Sequence, residues 1–589
     1  MKTVNLNIER FLGINESPDG DSGLKIGEAA EMYNFRITEE GNLKKLNGCS
    51  LYTSDIAAAN IDGMTIWGDL FIYVTNGKVY TYDGEDTTEL DFDTGVTLTA
   101  GKCTLFVFED KLYILNGNEY LSWSGGATDI VEVTGYVPTV LIASDPADGS
   151  GTEYEPINQL TGQKIQKFNG DNATLIYRLY ETDIDSVDLV IADGAELTVT
   201  TDYTVNLTNG TVTFDAAPDE GLDNVSIKWT KSGTTNNIVG MKYVSFFGGE
   251  NNTRVFVYGD GTNTIYYSEL ETGSTVVSAE YFPELNRMDI DLDDVAITSL
   301  VPYYGRLFIF KEDSIYYCTD SYLTADDGNI ITSFPTRNVT KSVGCTVYNG
   351  AIAIPNAIVF PSADGIYIAK GGYVYEQMSE SLISERVDNT YKGFTKSNIL
   401  TMNNQKLGEC WFIDDEDVIV YNYRNDTWYK FNILEAAKSV YYNDGDIYFG
   451  NDGGEIFLFD TSLSFNGEEI GAYWESGAMD FGFFNRKKFI DRIWLTLKGE
   501  SNSRVTLDLE SDVTSDYPEK DISHGLTTFS TVNFANFSFN TNNKPASKMA
   551  RIKAKKFTFL KVILKNDTAT DTCTVMNITA PIEVSGITK

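Results

Sequence analysis

The fold is decided by a stretch that reads Gly68-Asp69-Leu70-Phe71-Ile72-Tyr73-Val74-Thr75-Asn76-Gly77-Lys78-Val79-Tyr80-Thr81-Tyr82. Two apolar and aromatic runs are separated here by Thr-Asn-Gly. β-Branched and aromatic residues favour strands, and Asn-Gly between two such runs is the strongest short-range signal for a hairpin. The stretch therefore predicts two antiparallel strands joined by a tight turn.

The same pattern recurs along the chain. Hairpins are predicted to begin near Leu70, Leu112, Val255, Leu307, Ile358, Trp411 and Ile447. Where they follow one another directly, their spacing is roughly 35 to 55 residues, which is the length of one four-stranded propeller blade. The repeat predicts a β-propeller of about six to eight blades. A series of unrelated β-sandwich modules is the alternative.

Two regions depart from this spacing. Between residues 146 and 232, short alternating strands with Asn-Gly and Asp-Gly turns predict a small inserted β-sandwich. After Phe459 the composition changes, and the strands that follow predict a C-terminal β-sandwich. The predicted domains are an N-terminal docking segment with the start of the propeller (1–60), a first group of blades (61–145), the inserted sandwich (146–232), a second group of blades (233–465) and the C-terminal sandwich (466–589). Helix is expected only over residues 25–34 and 433–437.

The charge of the chain is strongly negative. Its 589 residues include 45 Lys and Arg against 85 Asp and Glu, which gives a formal net charge of −40. Such a surface repels phosphates, and this excludes electrostatic binding of nucleic acid or of an anionic membrane as the function. No signal peptide and no apolar run of membrane-spanning length is present in the sequence. We therefore expect no membrane anchor and synthesis in a cytoplasm.

The residues that usually carry chemistry are scarce. The chain has one histidine, His524, and six cysteines without a C-x-x-C pair. Neither a P-loop nor a G-x-S-x-G nucleophile motif occurs. The sequence therefore predicts no enzymatic activity, no cofactor and no metal site of ordinary spacing. Acidic runs at residues 83–86, 289–294 and 414–417 are interpreted as solvated loops, with calcium binding as the alternative.

Two basic clusters stand out in this acidic chain. The residues are Arg486, Lys487 and Lys488 in one cluster and Lys553, Lys555 and Lys556 in the other. Islands of positive charge suit an acidic protein partner, so these six residues are candidates for partner docking. Lysines that protect a solvated strand edge are the alternative interpretation.

Several N-terminal motifs resemble a known family. They are Phe11-Leu12-Gly13-Ile14-Asn15, Gly27-Glu28-Ala29, Asn34-Phe35-Arg36 and Gly41-Asn42-Leu43-Lys44-Lys45-Leu46-Asn47-Gly48. Together they resemble the opening of the β-propeller tail nozzle proteins of short-tailed bacteriophages, also called tail tubular or stabilisation proteins. Residues 202–214 also resemble small sandwich modules of phage tail proteins, and residues 474–482 with Lys487 and Lys488 resemble the start of the C-terminal domain of the nozzle type.

The resemblance implies a function. It implies a structural component of a virion tail, built as a homo-oligomeric ring that is six-fold in that family. The ring would dock to a portal or adaptor and to tail fibres or other tail proteins. DNA would pass through its channel during ejection without being specifically bound, and carboxylates should outnumber Lys and Arg on the channel wall. The alternative function is that of a glycan-binding or glycan-cleaving propeller at the phage–host surface.

Overall fold

The computed structural model describes residues 2–16, 23–53, 59–233, 236–248, 253–324, 330–371, 378–432, 436–500, 502–524 and 544–587. Strands account for 53% of the structure and helix for 3%. The predicted all-β fold class is confirmed.

The N-terminal segment contributes five strands. They are β1 (Lys2–Ile8), β2 (Ala29–Tyr33), β3 (Phe35–Ile37), β4 (Leu43–Lys45) and β5 (Gly48–Thr53). Two four-stranded antiparallel sheets follow, which we name blades 1 and 2. Blade 1 consists of β6 (Ile61–Trp67), β7 (Leu70–Thr75), β8 (Lys78–Tyr82) and β9 (Thr87–Glu89). Blade 2 consists of β10 (Thr104–Phe108), β11 (Lys111–Leu115), β12 (Tyr120–Trp123) and β13 (Val131–Glu132).

An insertion of nine strands comes next. Its strands are β14 (Thr139–Ser144), β15 (Thr152–Glu153), β16 (Gln163–Gly170), β17 (Ile176–Arg178), β18 (Ser186–Ala192), β19 (Ala195–Glu196), β20 (Tyr203–Asn206), β21 (Thr211–Phe214) and β22 (Gly221–Thr230). They form one sheet in the order β15-β14-β16-β22-β18-β19 and a second in the order β17-β21-β20. One apolar core joins the two sheets, with Phe168 and Trp229 from the first and Tyr177 and Phe214 from the second. The first strand, β14, precedes the boundary expected at residue 146.

Three further blades follow the insertion. Blade 3 consists of β23 (Tyr243–Phe247), β24 (Arg254–Tyr258), β25 (Thr264–Tyr267) and β26 (Arg287–Asp289). Blade 4 consists of β27 (Ile297–Tyr303), β28 (Arg306–Lys311), β29 (Ile315–Cys318) and β32 (Thr336–Thr340), with the hairpin β30 (Ser321–Thr324) and β31 (Ile330–Ser333) between its last two strands. Blade 5 consists of β33 (Ile352–Ile354), β34 (Ala357–Pro361), β35 (Ile366–Gly371) and β36 (Met378–Leu382).

A short helical stretch leads into the last two blades. A 3₁₀ turn (Ser384–Val387) runs into the helix α1 (Asp388–Gly393), and a separate 3₁₀ turn (Ile238–Gly240) precedes blade 3. Blade 6 consists of β37 (Leu400–Asn404), β38 (Glu409–Asp414), β39 (Asp417–Asn422) and β40 (Thr427–Phe431). Blade 7 consists of β41 (Ser439–Asn443), β42 (Asp446–Gly450), β43 (Ile456–Ser462) and, as its outer strand, β5 from the N-terminal segment.

The described part of the C-terminal region contains nine strands. They are β44 (Ala472–Ser476), β45 (Arg486–Ile490), β46 (Ile493–Leu497), β47 (Arg504–Ser511), β48 (Lys520–Ser523), β49 (Ala546–Ala550), β50 (Ala554–Phe557), β51 (Leu560–Asn566) and β52 (Thr574–Ile587). One sheet has the order β2-β44-β51-β47-β48. An eight-stranded sheet is organised around β52, which pairs with β1, β4, β45 and β46.

The hairpins predicted from the sequence are confirmed. Each one forms the second and third strands of a blade, as in blade 1, where Val74 faces Val79 across the Asn76-Gly77 turn. The chain divides into two compact units, the first comprising residues 1–88, 312–314 and 341–589 and the second residues 89–311 and 315–340. Within each unit, neighbouring blades touch through their first strands, as β33 with β37 and β23 with β27 do. Aromatic and aliphatic side chains pack between such blades.

The N-terminal segment is part of the C-terminal sheets. Strand β1 pairs along its whole length with β52, from Lys2 opposite Val584 to Ile8 opposite Ile578. The helix predicted over residues 25–34 is wrong, because β2 occupies Ala29–Tyr33 and pairs with β44. Ala29 and Met32 are buried in this pairing, and burial of a strand against a sheet outweighs a weak local helix preference. Of the second predicted helix, residues 433–435 lie outside the described residues.

Candidate functional site: the N-terminal joint and the basic sheet edge

The motif around Gly13 lies against blade 6. Gly13 has a φ of +81°, and a Cβ atom there would stand 2.3 Å from the carbonyl oxygen of Trp428. The next amide, that of Ile14, donates to the same oxygen at 2.8 Å. Both the left-handed conformation and the close approach require glycine. Glu16 follows and accepts from Lys430 Nζ at 2.8 Å and from the Thr390 amide at 2.9 Å.

The other motifs hold the same joint together. Leu12 donates its amide to the carbonyl of Gly27 at 2.8 Å. Asn34 donates from its side chain to the carbonyl of Gly471 at 2.8 Å and accepts from the Asn432 amide at 3.0 Å. Gly48 opens β5 so close to the segment after β43 that a Cβ atom would stand 2.0 Å from the carbonyl oxygen of Ser464. We name this region, residues 10–16 and 27–48 with their partners, the N-terminal joint.

A buried ion pair lies within the joint. Arg36 Nε is 2.9 Å from Glu409 Oε1, and the same carboxylate accepts from Trp411 Nε1 at 2.9 Å and from the Tyr429 hydroxyl at 2.5 Å. Burial on its own lowers the pKa of Arg36, but the Glu409 carboxylate beside it raises that pKa above its ordinary value. Burial and the same carboxylate raise the pKa of Tyr429 well above 10.0. No sequence pattern predicts this pair, because its members lie 373 residues apart.

Lys45 is a second buried cation of the joint. Its Nζ donates to Asn566 Oδ1 at 2.8 Å and to the carbonyls of Thr568 and Asp571 at 2.7 and 3.3 Å. Burial lowers the pKa of Lys45. The lysine thereby ties β4 to the loop between β51 and β52.

The structure brings the two basic clusters onto neighbouring strands. Strand β45, with Arg486, Lys487 and Lys488, pairs with β50, which carries Lys555 and Lys556. Lys488 is buried, and its Nζ donates to three backbone carbonyls at 2.6 to 3.0 Å. Burial also lowers the pKa of Lys488. Its predicted docking role is therefore corrected, because its side chain faces the interior and is saturated by the backbone.

The other two members of the first cluster are half-buried. Lys487 Nζ lies 3.1 Å from Thr558 Oγ1 and 3.7 Å from Asp512 Oδ2. The Arg486 guanidinium stands over the ring of Phe483 at 5.7 Å. Both residues thus hold their charge beside local partners, and neither projects fully into solvent.

The second cluster forms an exposed sheet edge. Lys553, Lys555 and Lys556 are all exposed, and they make no ion pair within the part of the chain that the structure describes. Residues 544–556 contain six Lys and Arg and no Asp or Glu. Among the residues that the structure describes, β49 pairs only with β46 and β50 only with β45. We name residues 544–556 the basic edge.

A bulge shapes the basic edge. The register places Lys488 opposite Phe557 and Phe489 opposite Lys555, so Lys556 is the extra residue, with a φ of +60°. Bulges and lysines are both devices that prevent another strand from adding to an open edge. The edge is thus protected against strand addition, yet its charged side chains remain available to an acidic surface.

The acidic runs serve local structure. Asp83 accepts from the amides of Glu85 and Asp86 at 2.9 and 2.8 Å. Asp291 accepts from the Tyr316 hydroxyl at 2.6 Å, and Lys438 pairs with Asp415 at 2.5 Å. Among the described residues, no group of three or more His, Cys, Asp and Glu side chains is placed to hold a metal ion.

The residues considered for nucleophilic chemistry lie inside the protein. All six cysteines are buried, and burial raises the pKa of Cys318 and of Cys573 to about 12. His524 is buried as well, with Nε2 at 3.1 Å from the Lys544 carbonyl oxygen. No helix in the described ranges is long and apolar enough to cross a membrane.

Comparison with known proteins concerns the fold alone. No protein-family profile and no curated protein matches the chain. Among solved structures it is similar to the CNH domain of AfRom2, with a TM-score of 0.33 and 8% identity over 70% of this chain and 98% of that chain. It is also similar to BamB from Moraxella catarrhalis, with a TM-score of 0.33 and 10% identity over 69% of this chain and 97% of that chain. The WD40 domain of SCAP from fission yeast has a TM-score of 0.29 and 8% identity over 70% of this chain and 98% of that chain. The class of this chain, an all-β protein of the β-propeller type, rests on the blades themselves.

Proposed function

We propose that this protein is a non-enzymatic structural component of a bacteriophage virion tail, a nozzle ring that forms part of the DNA-ejection channel. The observation that carries the proposal is the position of the N-terminal motifs that resemble the nozzle family. A side chain at Gly13 would collide with the backbone of blade 6, and a side chain at Gly48 would collide with the Ser464 carbonyl just beyond β43. The fold requires glycine at these two motif positions. This requirement supports the interpretation that the chain resembles the nozzle family in its architecture as well as in its sequence motifs.

The basic edge supports assembly with an acidic partner. It concentrates six cations in a chain whose net charge is −40, so the surface of a second copy is itself a complementary partner. Head-to-tail contacts between unlike surfaces generate closed rings. We propose that Lys553, Lys555 and Lys556 dock on an acidic surface of a neighbouring copy or of another tail protein, where charge complementarity sets orientation.

The net charge supports the proposed passage of DNA. Like charges are felt by a duplex within a Debye length of about 8 Å at physiological salt. A channel whose carboxylates outnumber its Lys and Arg would let DNA pass without holding it. The protein would therefore reside in the virion tail, between a portal or adaptor and the tail fibres.

The proposal is tested by assembly of the full-length chain. We expect purified protein to form closed rings in negative-stain electron microscopy, and the triple variant K553E/K555E/K556E to lose ring formation or incorporation into particles. The matched control is K78E/K392E/K406E, which makes the same change of charge at exposed lysines elsewhere. If the two triple variants assemble equally well, the docking role proposed for Lys553, Lys555 and Lys556 is contradicted.

A structure of the assembled particle tests the channel separately. A lumen rich in Lys and Arg, or a fibre without an axial channel, contradicts the proposal. Hydrolysis of a capsular or cell-wall polysaccharide that is lost on mutating an Asp or Glu pair favours the glycan-cleaving alternative instead.

A further inference from the structure

The turn between the first two strands of blade 4 has an unusual residue. Strand β27 ends at Tyr303 and β28 begins at Arg306, and the turn residues are Tyr304 and Gly305. Tyr304 has a φ of +46° and Gly305 a φ of +69°. An aromatic side chain is disfavoured in this left-handed conformation. Tyr304 is nevertheless 75% exposed, so burial of its ring does not offset the backbone strain.

The corresponding turns of other blades show what the fold requires. In blade 7 the turn is Asp444-Gly445, with φ values of +46° and +100°. In blade 5 the left-handed turn residue is Asn356, with a φ of +67°. Asp and Asn tolerate this conformation because their short polar side chains bond locally. In blade 2 the residue at this position is Glu109, with a φ of +53°. Blade 4 therefore has an aromatic residue where blades 2, 5 and 7 have an acidic residue or an asparagine.

Tyr304 lies on the rim of an open aromatic cleft of about 300 Å³ in the second unit. The rings of Tyr303 and Tyr304 meet edge to face at 4.5 Å. On the blade 3 side, Phe246 is 37% exposed and stacks on Phe108 with ring centroids 5.9 Å apart. Arg306 also lines the cleft, and its guanidinium stands 4.5 Å above the ring of Tyr317.

We propose that this cleft binds a pyranose ring of a carbohydrate. Aromatic faces pack against the apolar C–H face of a sugar, and tyrosine adds a polar hydroxyl. Arg306 supplies several N–H donors in a fixed geometry for vicinal hydroxyls or a carboxylate. A volume near 300 Å³ is at the small end of ligand sites.

This inference is independent of the tail function proposed above, and it is tested on the full-length protein. The probes are chitotetraose, maltotetraose and tetragalacturonic acid, followed by saturation-transfer NMR and isothermal titration. We expect at least one to bind with a Kd of about 1 mM or tighter. The variant Y304N should weaken that binding at least tenfold, because it removes the ring and keeps a residue suited to the turn.

The control variant is Y154N, at a tyrosine that is 51% exposed in the insertion, and it should bind as the unmodified protein does. Thermal unfolding gives a second readout: Y304N should melt at the same temperature or higher, because backbone strain is relieved. The proposal is overturned if none of the three probes binds, or if binding survives in Y304N. A lower melting temperature for Y304N also overturns it, because the tyrosine would then serve packing. The proposal is also overturned if Y304N loses particle assembly while the unmodified protein binds none of the sugars. That result would indicate that Tyr304 contacts a protein partner.

Discussion

The N-terminal joint and the basic edge use the same kind of residue in opposite ways. In the joint, the cations Arg36 and Lys45 are buried and bonded to groups hundreds of residues away in sequence. In the basic edge, Lys553, Lys555 and Lys556 are exposed. A buried charge is strongly unfavourable unless it is paired, whereas an exposed charge contributes little to stability. The joint thus depends on cations for its fold, and the edge presents them for docking.

The largest expected effect comes from breaking the buried pair of the joint. The variant R36M leaves the Glu409 carboxylate buried without its cation, and we expect it to lower the free energy of unfolding by about 3–5 kcal/mol. Chemical denaturation measures this loss. The double variant R36M/E409M should regain only part of it, because two apolar side chains replace the pair but Trp411 Nε1 and the Tyr429 hydroxyl lose their acceptor. The exposed pair of Lys392 with Asp388 is the control, and K392M should cost about 0.5 kcal/mol or less.

The next largest effect is expected at Gly13. In G13A the backbone strain adds to the collision with the Trp428 carbonyl oxygen, so we expect a loss of about 3 kcal/mol. Gly68 is the matched control, because it has a φ of +62° and nothing within 4 Å of the added Cβ. G68A should cost about 1 kcal/mol, which is the strain alone. Equal losses in the two variants would show that the joint has room to adjust at Gly13.

The buried thiols predict a loss of stability in alkali. Burial raises the pKa of Cys318 and Cys573 to about 12, so these groups stay protonated in the folded chain while the unfolded chain releases protons near pH 9. The stabilising contribution is complete below that pH and declines as the pH rises towards 12. At pH 11 we expect a loss of about 3 kcal/mol for each thiol.

Urea denaturation at pH 8 and pH 11 measures this decline. In C573A the difference in free energy of unfolding between the two pH values should be smaller by the contribution of one thiol. At pH 8 a thiol-specific reagent should label no cysteine in the folded protein and all six after denaturation. Rapid labelling in the folded state would contradict the burial of the thiols.

The smallest expected effects distinguish a buried lysine from an exposed lysine on two paired strands. K488M deprives three backbone carbonyls of their donor, and we expect a loss of about 1–2 kcal/mol. K555M removes an exposed side chain from the neighbouring strand, and we expect a change within about 0.5 kcal/mol. Thermal melting of the two variants side by side gives the comparison. A loss in K555M as large as that in K488M would show that the basic edge is structural.

The blades were predictable because their determinants are local. Each hairpin consists of two apolar runs and a turn within about 15 residues, and this spacing repeats. The basic clusters were also visible in the sequence, but the sequence did not indicate which of their side chains are buried and which are exposed. Lys487 and Lys488 are adjacent in the chain, and only the alternation of the paired strand turns one inwards and leaves the other half-buried.

The fold class, the repeat and the excess of carboxylates were determined by the sequence alone, because composition and short-range periodicity need no partner elsewhere in the chain. Tertiary structure alone decided that the segment over Ala29–Tyr33 is a strand, that β5 completes blade 7 and that Arg36 meets Glu409. Each of these depends on a partner roughly 370 to 450 residues away. Local preferences of a few tenths of a kcal/mol per residue are outweighed by the burial that such a partner provides. The left-handed backbone at Tyr304 is likewise set by the hairpin geometry of blade 4 and not by any local preference of tyrosine.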